Sequence, residues 1–287
     1  MTSRPRRSAL YMPASNAKAI EKARSLPCDV VILDLEDAVA PEAKEAAREQ
    51  AVQAVRDGGF GNRELVIRVN GSDTPWGADD LRAAAAAKPD AILVPKVNSA
   101  VDVADYSAPL HADTALWAMI ETSRSLFALD SIAAARATTQ LTTFVMGTND
   151  LAKEMRFRLT PGREPFFAAL SMAVTAARMH DLTILDGVHN DIEDQNSLEA
   201  VCRQGVDFGF DGKTLIHPKQ IDLCNLVFSP APAEVDWARA VIAAFALPEN
   251  QGKGAIRVEG KMTELLHLEQ AKRLVAVADA IREAEAA

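Results

Sequence analysis

The sequence predicts an α/β chain folded as a (β/α)8 barrel, the TIM-barrel architecture, with a C-terminal helical lid extension. Three observations carry that expectation. Eight short runs rich in β-branched and apolar residues recur between residues 8 and 210. Ala-rich amphipathic stretches separate them. Polar residues follow nearly every run, at the strand ends where such barrels place their chemistry. A doubly wound open sheet is the competing architecture, because continuous apolar strands suit either parallel arrangement.

The first four runs are "SALYM" (8–12), "VVILDL" (30–35), "LVIRV" (65–69) and "AILVP" (91–95). The second four are "ALWAMIE" (115–121), "TTFVMG" (142–147), "LTILDG" (182–187) and "VDFGF" (206–210). Stretches such as "SLFALDSIAAARAT" and "EPFFAALSMAVTAARMH" read as the helices between them. After "FSPAPAEVDWA" the alternation stops. A helix over 232–246, a Gly-marked connection "PENQGKGAIRVEGKM" and a last helix near 267–285 follow. Residues 1–228 therefore read as the catalytic barrel and 229–287 as an extension. The extension has too few apolar residues for a core of its own, so it is expected to pack on the barrel or on a neighbouring subunit.

Composition narrows the function classes. The 287 residues are 48% hydrophobic and 25% charged, enough for one large core. A formal net charge of −9 argues against a nucleic-acid partner, which would call for a basic surface. Cys28, Cys202 and Cys224 are odd in number and far apart, so neither a disulfide framework nor a thiolate zinc site is expected, and a reducing cytoplasm fits. No apolar run approaches the ~18–20 residues of a membrane span, and "TSRPRR" at the start has no apolar signal core behind it.

The strand ends hold the chemistry. The second run closes on Asp34, Glu36 and Asp37, the third on Arg68 and Asn70, the fourth on Lys96 and Asn98, the fifth on Glu121, the sixth on Asn149 and Asp150. Taken singly, the first three acids could be helix N-terminal carboxylates stabilised by the dipole. Clustered, they repel one another unless a divalent metal or nearby Arg and Lys compensate. Glu121 and Asp150 would supply two carboxylates, a typical protein share of an octahedral Mg²⁺ shell. No close His pair offers a zinc alternative. Arg68 is unusual in an apolar strand: it is either a buried ion-pair partner or a planar fork for a carboxylate or thioester oxygen.

In order, "RSALYMP", "DLEDAVAPEAK", "IRVN", "PKV", a Glu after the fifth strand, "GTNDL" and "GFDGKTLIHPKQ" resemble the HpcH/HpaI aldolase and citrate lyase β-subunit (CitE-like) family. The match runs from about residue 7 to 225 and resumes through "GKGAIRVEGKM". The resemblance implies a Mg²⁺-dependent lyase of the malyl-CoA, citramalyl-CoA and citryl-CoA branch, breaking or making a C–C bond to give acetyl-CoA and a 2-oxoacid. It implies Glu121 and Asp150 as metal ligands, with Glu36 and Asp37 holding water and neighbouring groups beside them. Arg68 and Gly147 would meet the 2-oxoacid substrate, and Arg7, Lys18 and Lys22 the CoA phosphates. Glu264 would be the acid/base delivered to the next subunit's site in a homo-oligomer, a trimer or hexamer. The same family context leaves three alternatives: a malyl-CoA thioesterase, a CoA-independent 2-oxoacid aldolase, and a β subunit acting on an acyl-carrier protein thioester. Departures from the lyase pattern bear on substrate: "GKMTE" puts Glu264 where "GKMID" is common, Asn98 stands for a Glu, and Ala14 for a Gly.

Overall fold

Eight parallel strands close on themselves in sequence order, each joined to the next through helical segments. The structure, a computed structural model, describes residues 4–286, so the outer limits of both expected segments and the first residues of "TSRPRR" lie outside the described residues. The strands are β1 (Ser8–Pro13), β2 (Val30–Asp34), β3 (Glu64–Arg68), β4 (Ala91–Val94), β5 (Ala115–Ile120), β6 (Leu141–Met146), β7 (Thr183–Asp186) and β8 (Gly212–Leu215). Pairing of Ala9 with Thr214 closes the ring between β1 and β8. Closure excludes the open doubly wound sheet. Between strands lie α1 (Ala17–Ala23), α2 (Lys44–Asp57), α3 (Gly77–Ala87), α4 (Ala100–Ser107), α5 (Ser123–Phe127), α6 (Leu129–Ala134), α7 (Thr148–Met155), α8 (Phe167–Met179) and α9 (Gln195–Phe208); α10 (Ile221–Phe228) follows β8.

Two apolar layers result from the two-residue period of the strands. Val31 and Leu33 of β2, Ile67 of β3 and Ile92 of β4 join helix residues such as Ala47, Ala51 and Ala84 in the outer core. The alternate set, among them Val30, Ile32, Val66, Leu93, Trp117 and Val145, fills the barrel itself. Small Ala side chains on α2, α3 and α8 let the helices approach the sheet closely, which explains the Ala-rich composition of the intervening stretches. At the N-terminal end of the barrel Arg6 forms a plug. It donates to both oxygens of Glu64 (2.6 and 2.7 Å), to Thr143 and to Thr183, and lies 4.9 Å from the Trp117 ring centroid.

The eighth strand is not where the sequence reading put it. "VDFGF" belongs to the end of α9, which stops at Gly209 in the left-handed conformation (φ +91°), and β8 is "GKTL". The alternating apolar residues of "VDFGF" misled because they look like a strand, whereas on α9 Val206 is exposed and Phe208 packs against the core and the Phe167 ring. In β8 a buried Lys213 interrupts the apolar pattern, and an ion pair to Asp186 holds it there.

Residues from Ser229 onward form a second compact unit of α11 (Pro232–Ala246), β9 (Ala255–Val258), β10 (Lys261–Glu264) and α12 (Leu265–Ala286). The Gly-marked connection is an antiparallel hairpin. Its turn, Glu259–Gly260, has φ of +49° and +82°, the geometry two-residue hairpins favour, and Glu259 conceals it because Asn or Asp is the usual partner of Gly there. Contrary to the composition argument, the unit has a small core: Ala238, Val241 and Phe245 of α11 meet Ile256 and Val258 of β9 and Ala271 of α12.

Candidate active site

Strand parity decides which polar residues enter the barrel. Val30 and Ile32 face inward, so Asp34 does too; Val66 brings Arg68 with it, and Trp117 and Met119 bring Glu121, the residue after β5. All three lie at the C-terminal ends of their strands. There a cavity of about 290 Å³ opens, lined by Asp34, Asp37, Arg68, Glu121, Gly147 and Asp150, with Tyr11, Met119 and Met146 among its apolar members.

Arg68 is at the centre of this group. Its Nε donates to Asp34 Oδ1 at 2.7 Å and its Nη2 to Asp34 Oδ2 at 2.6 Å, a bidentate pair buried inside the barrel mouth. Asp34 also accepts the backbone N–H groups of Glu36 (2.9 Å) and Ala38 (3.1 Å), which fixes the course of the loop after β2. The guanidinium fork is therefore occupied. What Arg68 presents to the cavity is Nη1, 2.9 Å from Glu36 and 3.1 Å from Asp37, while its plane lies 4.6 Å from the Tyr11 ring centroid. Burial works against the charge, but Asp34, Glu36 and the surrounding donors and acceptors keep Arg68 firmly protonated.

The remaining acids are less compensated. Burial pushes Glu36 up to about 8; Glu121, Asp37 and Asp34 add repulsion that Arg68 opposes without cancelling. Burial also raises Glu121 to about 7, with Asp150 and Asp37 adding to it, while the Lys96 N–H and Arg68 pull the other way. Glu121 Oε1 accepts the Lys96 backbone N–H at 2.7 Å, and Lys96 adopts a positive φ of +52° in making that bond. Its other oxygen has no hydrogen-bond partner among the described residues. Gly147 packs directly on this carboxylate: a Cβ there would fall 2.5 Å from Glu121 Oε2. Gly147 caps α7, whose first turn carries Asp150, so a helix N-terminus points at the cavity beside both acids.

Other expected site residues are placed differently. Lys18 and Lys22 are exposed on α1, four positions apart and so on one face, outside the cavity lining. Arg7 precedes β1, at the barrel end opposite the cavity. It is buried, with Nε and Nη2 on the two oxygens of Asp29 (2.9 and 2.8 Å). Glu264 ends β10 in the C-terminal unit, exposed, its N–H donating to His267 Nδ1 at 2.9 Å.

Several residues escaped the sequence reading. Lys44 is buried and donates from Nζ to the carbonyls of Leu35 (2.8 Å) and Glu36 (2.6 Å) and to Asn70 Oδ1 (2.8 Å), clamping the loop that carries Glu36. Asn70 in turn donates to Leu35 O and Asp80, and Asp80 pairs with Arg48. The signal was the Lys inside "PEAK", a position that looks like an exposed helix start. Val188 and Asn190 after β7, and Thr214 and Ile216 of the β8 end, also line the cavity. The strand-end rule would have found the β7 pair; the misplaced eighth run hid the other.

A family model described as HpcH/HpaI aldolase/citrate lyase matches residues 7–218. The chain belongs to that family. Among HpcH/HpaI relatives, a (3S)-malyl-CoA thioesterase of Cereibacter sphaeroides is 49% identical over 96% of each chain. The citrate lyase subunit beta of Escherichia coli is 31% identical over 96% of this chain and 94% of its own, and an L-malyl-CoA/beta-methylmalyl-CoA lyase of Cereibacter sphaeroides is 32% identical over 97% and 96%. Protein CitE from Mycobacterium tuberculosis, solved in complex with magnesium, acetoacetate and coenzyme A, superposes with a TM-score of 0.78 at 29% identity, covering 97% of this chain and 100% of that one.

Magnesium, found in that CitE structure, fits the donor set here. Among the described residues no three His, Cys, Asp or Glu side chains group tightly enough to cage a metal alone. Glu121 and Asp150 provide hard oxygen donors, one of them half unsatisfied and raised by burial and mutual repulsion, as expected of carboxylates lacking a cation. The remaining coordination places suit water and ligand oxygens.

Two outcomes follow. Glu121→Gln or Asp150→Asn should abolish calorimetric Mg²⁺ binding while the circular dichroism spectrum stays that of the folded barrel; retained binding in both variants would refute the assignment. The second concerns pH. Glu36 and Glu121 hold protons in the folded state that the unfolded chain has lost above the ordinary value of 4.5, so their contribution to stability is full below that value and disappears as pH rises through about 7 and 8. Without divalent metal, the melting temperature should fall more steeply between pH 5 and 9 in the native protein than in Glu36→Gln, as followed by scanning calorimetry.

Proposed function

We propose that the chain hydrolyses the thioester of a 3-hydroxyacyl-CoA dicarboxylate, with (3S)-malyl-CoA as its substrate class, using Mg²⁺ held by Glu121 and Asp150. The observation that carries this reading is the convergence of Arg68 Nη1, Glu121 and Asp150 on one cavity beside a helix N-terminus. Such a site takes a carboxylate and adjacent hydroxyl. When bound, a divalent cation supplies Lewis-acid polarisation of ligand oxygens. Arg68 neutralises and orients the substrate carboxylate through the one nitrogen Asp34 leaves free. Glu36, protonated near neutral pH, can hand over or accept a proton at the cavity's edge. Met119, Met146 and Tyr11 form the apolar wall against which an acyl chain lies, and Lys18 and Lys22 offer charge for CoA phosphates on the rim side of β1.

Hydrolysis rather than C–C cleavage is supported by the thioesterase relatives, 47–49% identical over 96% of this chain, against 31–32% for the citrate lyase and malyl-CoA lyase relatives. The lyase reading stays second, favoured by those relatives and by the carboxylate of Glu264, which would act in a homotrimeric or hexameric assembly. In it the products are acetyl-CoA and a 2-oxoacid, and a carrier-protein thioester is the variant substrate.

Purified protein given (3S)-malyl-CoA should release free CoA thiol and malate, and chelation of divalent metal should stop it. Glyoxylate and acetyl-CoA as the sole products would move the assignment to the lyase. Turnover of a carrier-protein thioester alone would move it to a β subunit.

A further inference from the structure

Beside the reaction cavity lies a second one, of about 370 Å³, between the loops that follow β6 and β7. Four residues line both: Thr148, Asn149, Val188 and Asn190. The side-chain amides of Asn149 and Asn190 are paired reciprocally at 2.9 and 3.2 Å across that shared wall. His189 lines only the second cavity.

The tautomer of His189 follows from its neighbours. Ser197 Oγ gives its one proton to the Asp194 carbonyl at 3.1 Å, so at 2.8 Å it accepts from His189 Nε2–H. Nδ1 is left with its lone pair and has no hydrogen-bond partner among the described residues. The loop is held on both sides. Gln220 Nε2 donates to the His189 carbonyl at 3.0 Å, and Lys213 Nζ bonds the Gly187 carbonyl while pairing with Asp186, which Arg163 also grips at 2.8 Å. A Cβ on Gly187 would fall 2.5 Å from Thr148 Oγ1, so the two loops are in close contact. Burial, with Lys213 and Arg163 adding to it, holds the imidazole below its ordinary range; Asp191 and Asp194 oppose. His189, its ring held by Ser197 and its Nδ1 unpartnered among the described residues, thus lines a cavity that shares four lining residues with the reaction cavity. None of the chemistry assigned above uses it.

We propose that His189 is the general base of thioester hydrolysis, activating a water held in this second cavity, an inference that rests on the hydrolytic reading. Nδ1 takes a proton from water as the oxygen bonds to the thioester carbonyl carbon. The C–S bond then breaks, and the CoA sulfur leaves with the proton returned from the imidazolium. Thioester and water become carboxylic acid and thiol, with no other reactant needed. The acid then ionises to the carboxylate.

The test is steady-state release of CoA thiol from (3S)-malyl-CoA by native protein, His189→Gln and Ser197→Ala across pH 5–9, with malyl-CoA binding and melting temperature measured alongside. His189→Gln should lower kcat by roughly 10²–10⁴ with KM nearly constant, and should lose the acid limb of the native pH profile. Ser197→Ala, which frees the tautomer and keeps the ring, should lower kcat less and leave KM unchanged; it carries the test should His189→Gln fail to fold. Native kcat and pH profile in both variants would overturn the proposal. So would a rise in KM at constant kcat, which would make His189 a binding group. A native protein that releases no thiol would overturn the hydrolytic reading and this inference together; native hydrolysis with unaffected variants would overturn this inference alone.

Discussion

An arginine inside a barrel is stable only where its charge is matched, and Asp34 matches Arg68 across the β2–β3 pair, both strands ending there in register. The cavity depends on that pair. With two of its nitrogens committed to Asp34, the guanidinium cannot rotate, so Nη1 has one direction left to point. Asp34 also ties down the first residues of the next loop, which places Glu36 and Asp37 beside the same nitrogen. A buried pair of this kind contributes little net stability over an apolar replacement, because desolvation offsets attraction, whereas losing one partner is severe. Its value lies in orientation.

A second polar layer supports the first from outside the barrel interior. Lys44 gathers the Leu35 and Glu36 carbonyls, Asn70 joins Lys44 to Asp80, and Asp80 is held by Arg48 from α2. Every member has partners, as a buried network must if it is to rigidify a site. Across the barrel, Asp186 with Lys213 and Arg163 does the corresponding work for the loop after β7. Among the described residues, Glu121 and Asp150, the carboxylates between these two supports, form no direct ion pair, although Arg68 and Lys96 act on them from a distance. That is the arrangement a metal site needs: rigid surroundings and unsatisfied donors.

Much of this was legible in the sequence. Short, continuous apolar and β-branched runs announced seven of the eight strands, and the polar residues at their ends announced Asp34, Arg68, Glu121 and Asp150. The eighth strand was hidden because Lys213 breaks its apolar pattern, a violation stabilised by Asp186 from a neighbouring strand that no local reading sees. The hairpin β9–β10 was hidden by Glu259 in a turn position that ordinarily advertises itself with Asn or Asp. Arg68 was read as a free fork or an ion-pair member; only the parity of β2 and β3 together shows that Asp34 takes the fork. Arg7 was expected beside CoA phosphates; its pairing with Asp29, 22 positions on, could not be read locally. Residues whose role is fixed by a partner distant in sequence were the ones missed.

The central claim, that Asp34 exists to compensate and orient Arg68, is tested most directly by denaturant unfolding of Asp34→Asn, Arg68→Met and the double variant. The account predicts that Asp34→Asn costs about 3–5 kcal/mol, because Arg68 remains buried with its fork empty, and that the double variant recovers much of that loss once the buried charge is gone. A single variant as stable as the native protein, or a double variant that loses the full sum of the two single losses, would contradict it.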